Sequence, residues 1–298
     1  MDVKRAVVNL APGPVVRFFA APYVAGRGME SGVGKADELW TTRKLHSTVD
    51  LLGEEVFARE DVEKTLALYF TLIGELARRP YASISLKPTQ LGVHDSEAYC
   101  LENIRRVAAC AAPGGTRLTV DMEDRHFTDV TLRLFKALRG EFDNVGIVLQ
   151  SRLFRTGDDI RALPATPCRV RICIGIYNEP REVAHQGKPA MKEKLFEHVQ
   201  LLLDLGHYPE IATHDERLIR RCLEYLDKRG CATDACEFQM LLGVPRHDIQ
   251  DEIVRTGRVM RLYVPFAAEW KYAIAYLRRR LADSPMMGAY VLKNMFRS

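Results

Sequence analysis

The chain is poor in the features that mark disulfide scaffolds, metal sites, membrane spans and nucleotide loops. Its seven cysteines form an odd set with no CxxC pair, and several sit inside apolar runs, Cys173 within Val-Arg-Ile-Cys-Ile among them. That pattern reads as buried, reduced thiols and argues against a disulfide framework. The cysteines and the eight histidines show no zinc-ligand spacing. No apolar run approaches the length of a membrane span. The stretch Val15-Val16-Arg17-Phe18-Phe19-Ala20-Ala21-Pro22 is broken by Arg and Pro, against a signal peptide. Gly26-Arg-Gly28-Met-Glu-Ser-Gly32 has one residue too many for GxGxxG and follows no clear strand. Gly34-Lys35 lacks the first glycine of a P-loop and is followed by Ala36. Both read as a flexible segment ahead of a helix at Lys35–Leu45. A net charge of +4 is too mild to imply nucleic acid, but it is compatible with a small anion or an acidic membrane surface.

What the chain does have is one rhythm carried to its end. Short β-branched runs predict strands at Ser47–Leu52, Ser83–Lys87, Leu118–Asp121, Val145–Gln150, Val170–Ile174, Glu210–Thr213, Cys236–Met240 and Val259–Val264. Amphipathic segments between them predict helices at Val62–Arg78, Ser96–Ala111, Thr128–Gly140, Met191–Leu205, Glu216–Lys228 and His247–Thr256, with a short one at Asp158–Leu163. Eight βα units argue for an α/β fold of the (β/α)8 kind, because near-continuous apolar strands need helices outside and a filled interior within. No linker divides the 298 residues, so a single domain is expected, with residues 1–45 as an N-terminal helical segment and 46–298 as barrel and last helix.

In such a barrel the chemistry belongs at the C-terminal ends of the strands. Those ends carry Gly53-Glu54, Lys87, Asp121-Met122-Glu123-Asp124, Gln150, Gly175-Ile176-Tyr177, Thr213-His214-Asp215, Gln239, Leu241 and Tyr263. Taken singly, Asp121 or Asp215 is explained as a helix cap, Lys87 as solvated and His214 as a satisfied structural histidine. Arg171 is more telling, because a guanidinium inside a barrel strand needs a partner or a ligand. Near the end of the chain Tyr276, Arg279, Arg280 and Asp283 fall at i, i+3, i+4 and i+7 and so share one helical face. Adjacent guanidiniums on such a face form a clamp for carboxylate or phosphate; the bland reading is a solvated basic helix.

The runs Val49-Asp-Leu-Leu-Gly-Glu54, Ser85-Leu-Lys87-Pro-Thr-Gln-Leu-Gly92, Val120-Asp121-Met122-Glu123 and Gly146-Ile-Val-Leu-Gln150 stand in order along the chain. They are followed by Val170-Arg171-Ile-Cys-Ile-Gly175-Ile-Tyr177, Ile211-Ala-Thr213-His214-Asp215, Glu237-Phe-Gln239-Met-Leu241-Leu-Gly243, Tyr263-Val-Pro265, the Arg279-Arg280 helix and Tyr290-Val-Leu-Lys-Asn294. In this order they resemble the proline dehydrogenase family, which includes the barrel domain of the bifunctional proline utilisation A proteins. The resemblance implies a distorted (β/α)8 TIM barrel with a C-terminal helix over its mouth. It also implies non-covalent FAD and oxidation of L-proline to Δ1-pyrroline-5-carboxylate. Electrons would pass to a quinone and the product to a pyrroline-5-carboxylate/glutamate-semialdehyde dehydrogenase. A cytoplasmic protein touching a membrane peripherally, at the cytoplasmic face of the inner membrane, is the matching location.

By the same resemblance Lys87, Arg279 and Arg280 look like the proline carboxylate site, and Tyr263, Tyr276 and Leu241 like walls of the proline pocket. Asp121 and Arg171 look like the catalytic pair. Met122, Gln150, Arg171, Cys173, Ile174, Gly175, Ile176, Thr213, His214 and Asp283 fall where the family contacts FAD. The chain departs from the family in having Ile174-Gly175-Ile176-Tyr177 where Lys-Gly-Ala-Tyr is common, and Asp283-Ser284 in place of Glu-Asn. Two rival readings are an oxidiser of another imino acid such as hydroxyproline, which Tyr263 argues against, and a barrel that binds a phosphorylated metabolite through Arg279 and Arg280.

Overall fold

In a computed structural model, which describes residues 21–53 and 55–269, eight parallel strands close into a barrel in sequence order. The strands are β1 (His46–Leu51), β2 (Ala82–Leu86), β3 (Arg117–Val120), β4 (Val145–Gln150), β5 (Arg169–Cys173), β6 (Tyr208–Ala212), β7 (Glu237–Leu241) and β8 (Val259–Phe266). Helices follow or precede them: α1 (Met29–Arg43), α2 (Arg59–Leu76), α3 (Glu97–Ala111), α4 (Thr128–Arg139), α5 (Thr156–Arg161), α6 (Lys188–Asp204), α7 (Glu216–Lys228) and α8 (His247–Arg255). The expected (β/α)8 architecture is therefore present. A helix over the mouth lies outside the described residues, as do Tyr276, Arg279, Arg280 and Asp283.

The barrel's closure is written in a period-two pattern. Ile84, Leu86, Leu118, Val120, Ile147, Leu149, Val170, Ile172, Ile211, Phe238, Met240, Leu262 and Val264 are buried in one apolar core with the helices' inner faces. Residues alternating with them, including Asp50, Ser85, Lys87, Asp121, Arg171, Glu210, Gln239 and Arg261, are also buried yet bond to one another across the strands. Alternation thus sends apolar side chains to the helices and polar ones to the axis. The interior is filled by paired charges where branched aliphatics are usual in such barrels.

Two local expectations are corrected. The glycine-containing stretch ahead of residue 35 is not a flexible segment: α1 begins at Met29 and runs through Gly32 and Gly34. Gly32 is buried, and a Cβ there would stand 2.9 Å from Phe266 and 3.1 Å from Val49, so its role is close packing of α1 on β1 and β8. The eighth strand does not stop ahead of Pro265 but continues to Phe266. β7 pairs with β8 only as far as Tyr263, Phe266 bonds to β1 through Leu52, and the Pro265 carbonyl accepts from Ala25 at 2.8 Å. The N–H that proline lacks therefore falls where β7 has already ended, and no ladder bond is lost. Of the cysteines, 100, 168, 222 and 236 are buried, 173 and 231 partly so, and Cys110 is exposed.

Candidate active site

Asp121, just past the end of β3, gathers donors from three other strands. Its Oδ1 accepts from Ser85 Oγ at 2.8 Å and from Arg171 Nη1 at 2.8 Å. Its Oδ2 accepts from the Tyr263 hydroxyl at 2.8 Å and lies 3.4 Å from Lys87 Nζ. Burial pushes this carboxyl up, but Lys87 and Arg171 beside it outweigh burial and hold it below the usual range. The expectation that Asp121 might cap a helix is not met, since α4 begins only at Thr128. Asp215 does cap: its carboxylate accepts from Leu218 N at 3.0 Å at the start of α7.

Arg171 has the partner its position in β5 demands. Besides Asp121, it donates from Nε to Gln239 Oε1 at 2.6 Å and from Nη1 to Ser85 Oγ at 3.0 Å. Its guanidinium lies 5.2 Å from the Tyr263 ring centre, and Nη2 is buried with no hydrogen-bond partner among the described residues. Burial works against the charge, while Asp121 and Glu210 more than restore it, so the guanidinium stays firmly protonated. Burial raises the Tyr263 hydroxyl well above its ordinary range, with Asp121 and Asp50 adding to it, so it remains a donor.

Lys87 is buried and not solvated, and it bridges two carboxylates, Asp121 and Asp50, the latter at 3.2 Å. Its backbone is pinned by Gln90, whose Oε1 accepts from Lys87 N at 3.2 Å while Nε2 donates to Leu51 O at 2.8 Å. Thr89 next door donates to Glu123 through both N–H (3.1 Å) and hydroxyl (2.6 Å). Below these groups, Gln239 donates to Glu210 and Glu237, Arg169 bridges the same two glutamates, and Arg261 pairs with Glu237. Along the axis, the carboxylates Asp50, Asp121, Glu210 and Glu237 are met by Lys87, Arg169, Arg171 and Arg261.

The remaining predicted residues line the same end of the barrel from β4 to β7. Gln150 donates from Nε2 to Glu123 O at 2.7 Å, and its Oε1 is buried without a partner among the described residues. Gly175 has φ +87°, and a Cβ there would lie 2.3 Å from that Oε1. Only glycine suits both the backbone and the space. Cys173 and Ile174 are half-buried, Met122 is buried, and Ile176 is 47% exposed. Thr213 Oγ1 accepts from Asp215 N at 3.2 Å, and Arg246 donates to His214 O at 3.1 Å. His214 Nε2 faces Leu241 N at 3.5 Å, and Leu241 pairs with Tyr263 across β7 and β8.

Sequence reading did not assign Asp50, Ser85 or Glu210 to the site, and named Glu123 only among the strand-end residues. A signal was present for two of them. Ser85 precedes Lys87 by two residues, so both point the same way, and Asp50 interrupts an otherwise apolar strand end.

Charged groups from β1, β2, β3 and β5 and the Tyr263 hydroxyl from β8, converging on the C-terminal end of a closed barrel, define an α/β-barrel enzyme site. The family model "Proline dehydrogenase" matches residues 34–176 and 189–284. The chain is 33% identical to "Proline dehydrogenase" of Deinococcus radiodurans, covering 99% of this chain and 98% of that one. It is 30% identical to "Proline dehydrogenase 1" of Bacillus subtilis strain 168, covering 100% and 97%. Among solved structures, proline utilization A from Bdellovibrio bacteriovorus, inactivated by N-propargylglycine, superposes with a TM-score of 0.78 at 24% identity. That superposition covers 88% of this chain, which spans about a third (32%) of the other. The chain belongs to the proline dehydrogenase family of oxidoreductase enzymes.

Proposed function

We propose that this chain oxidises L-proline to Δ1-pyrroline-5-carboxylate using non-covalently bound FAD. The observation that carries the reading is the convergence of Lys87, Arg171 and Tyr263 on the carboxylate of Asp121 at the strand ends. They do so in a chain that aligns over its whole length with proline dehydrogenases.

The residues present fit a flavin. Gln150 Oε1 and Arg171 Nη2 are buried polar atoms with no partner among the described residues, and Gly175 leaves its backbone bare beside them. Met122, Gln150, Arg171, Cys173, Ile174, Gly175, Ile176, Thr213 and His214 would hold the cofactor, with Asp283 reaching it from beyond the described residues. When bound, the flavin supplies hydride acceptance, so the protein has to bind, orient and tune electrostatics. Arg171 is fixed by Asp121 and Gln239 and keeps one N–H group in hand, which suits it to stabilise negative charge developing beside it. Lys87, Arg279 and Arg280 take the substrate carboxylate, and Tyr263, Tyr276 and Leu241 wall its ring. The substrate amine must be neutral to give up hydride, so turnover rises towards alkaline pH.

Electrons then leave to a quinone, and the product passes to a pyrroline-5-carboxylate/glutamate-semialdehyde dehydrogenase. A cytoplasmic protein with peripheral membrane contact fits this reading. Among the described residues no helix is long and apolar enough to cross a membrane. The test is the visible spectrum before and after anaerobic L-proline. A yellow protein that bleaches is expected; a colourless protein that takes up no added FAD refutes the reading.

A further inference from the structure

Lys87 is an unusual receptor for a carboxylate, because it already serves two. Its Nζ lies 3.2 Å from Asp50 Oδ1 and 3.4 Å from Asp121 Oδ2, and all three residues are buried. A third carboxylate arriving there, as the proposed function requires, has to share that one ammonium with the two resident carboxylates, in addition to what Arg279 and Arg280 supply. In a low-dielectric interior, carboxylates crowded on one ammonium repel one another, and protonating one of them relieves the repulsion.

The two resident carboxylates are not equivalent. Asp121 is held by Ser85, Arg171 and Tyr263 as well as by Lys87. Asp50 has Lys87 on Oδ1 and the Tyr263 hydroxyl nearby, while its Oδ2 is buried and makes no hydrogen bond among the described residues. Asp50 is therefore the carboxylate that accepts a proton with fewer bonds to give up than Asp121. We propose that Asp50 is a positioning residue that competes with the substrate carboxylate for Lys87 and takes up one proton from solvent when an anion binds there. The proposal rests on reading Lys87 as part of the carboxylate site. The bond formed is O–H on Asp50, and the ion pair lost is Asp50–Lys87, replaced by anion–Lys87.

The charged and titratable groups facing Asp50 are Lys87 at the end of β2, Asp121 after β3, Tyr263 on β8 and Tyr69 on α2, with Arg171 on β5 behind Asp121. Burial raises the Asp50 carboxyl above its ordinary value; Lys87 opposes this and Asp121 reinforces it. An anion that draws Lys87 away raises it further. Tyr69 and Tyr263 are both pushed well above their ordinary range by burial, so neither competes for the role near neutral pH.

The experiment is titration calorimetry of the full-length protein with cyclopentanecarboxylate, a five-membered ring acid without the amine. It is run from pH 6 to 9 in two buffers of different ionisation enthalpy, which counts protons directly. The wild type should take up close to one proton per anion on the alkaline side, with Kd rising by up to about tenfold per pH unit there. Asp50→Asn should take up close to none, lose the pH dependence and bind the anion more tightly than wild type at pH 9. Asp50→Glu should keep the proton uptake. A purely structural Asp50 would instead give an Asn variant that binds more weakly at every pH, which overturns the proposal. Wild-type binding without proton uptake, or uptake that survives in Asp50→Asn, also overturns it. If Asp50→Asn does not fold, the wild-type proton count and Asp50→Glu decide. Absence of any binding to the wild type overturns the carboxylate reading of Lys87 itself, and the proposal with it.

Discussion

Arg171→Met is the sharpest probe of the charged axis. The guanidinium bonds Asp121, Ser85 and Gln239 and is almost fully buried. Methionine fills similar space but leaves Lys87 as the one close cation on Asp121 among the described residues, and leaves Gln239 Oε1 without its donor. Removing one partner of a buried pair typically costs about 3–5 kcal/mol, because the survivor stays buried and uncompensated. Against a total stability of about 5–15 kcal/mol, that is a large fraction. With a slope of about 3 kcal/mol per M urea, the unfolding midpoint should fall by about 1–1.7 M. The pH dependence carries the sign. Asp121 is depressed in the folded state, so its contribution is present above its unfolded pKa of about 4 and is lost as pH falls through the folded value. Arg171→Met shrinks that depression, so the gap between wild type and variant should narrow as the pH drops below about 4. Arg171→Met/Asp121→Asn should recover part of the loss at pH 7. A midpoint shift below about 0.3 M at pH 7, or a gap that does not change with pH, would refute the picture of a dry, paired core.

Other substitutions separate the remaining roles. Gly175→Ala forces a side chain into φ +87° and against Gln150 Oε1, a strain of about 1–3 kcal/mol; thermal unfolding should register it, and FAD retention on gel filtration should fall. Tyr263→Phe removes a hydrogen bond to a charged carboxylate, worth about 1.5–3 kcal/mol, and chemical denaturation measures it. Tyr263→Ser should shift the ratio of specificity constants towards 4-hydroxyproline by about one to two orders of magnitude, and an unmoved ratio would place Tyr263 away from substrate. Arg279→Met and Arg280→Met should each weaken proline binding by about 2–5 kcal/mol while sparing FAD, read as Michaelis constants beside flavin content; unchanged constants return that face to solvent.

The alternation of β-branched runs with amphipathic segments was sufficient to identify eight strands, because period two and period 3.6 are local properties of the chain. Val145–Gln150 matches the sequence expectation at both ends, and the other strands depart from it by at most two residues, since hydrogen-bonded closure and not hydrophobicity sets where pairing stops. Arg171 was legible as a residue in need of a partner, because the cost of an unpaired buried charge holds whatever the fold. Which partner it has was not legible. Asp121 lies 50 residues away, Ser85 lies 86 away, and the Tyr263 that completes the cluster is 142 residues from Asp121. Only closure of β1 onto β8 brings Asp50, Lys87 and Tyr263 to one point, and that closure is a long-range event with no local signature. Sequence alone determined the alternation and the polar strand ends; the barrel decided which charges meet, and hence that Lys87 reaches any substrate already shared between two carboxylates.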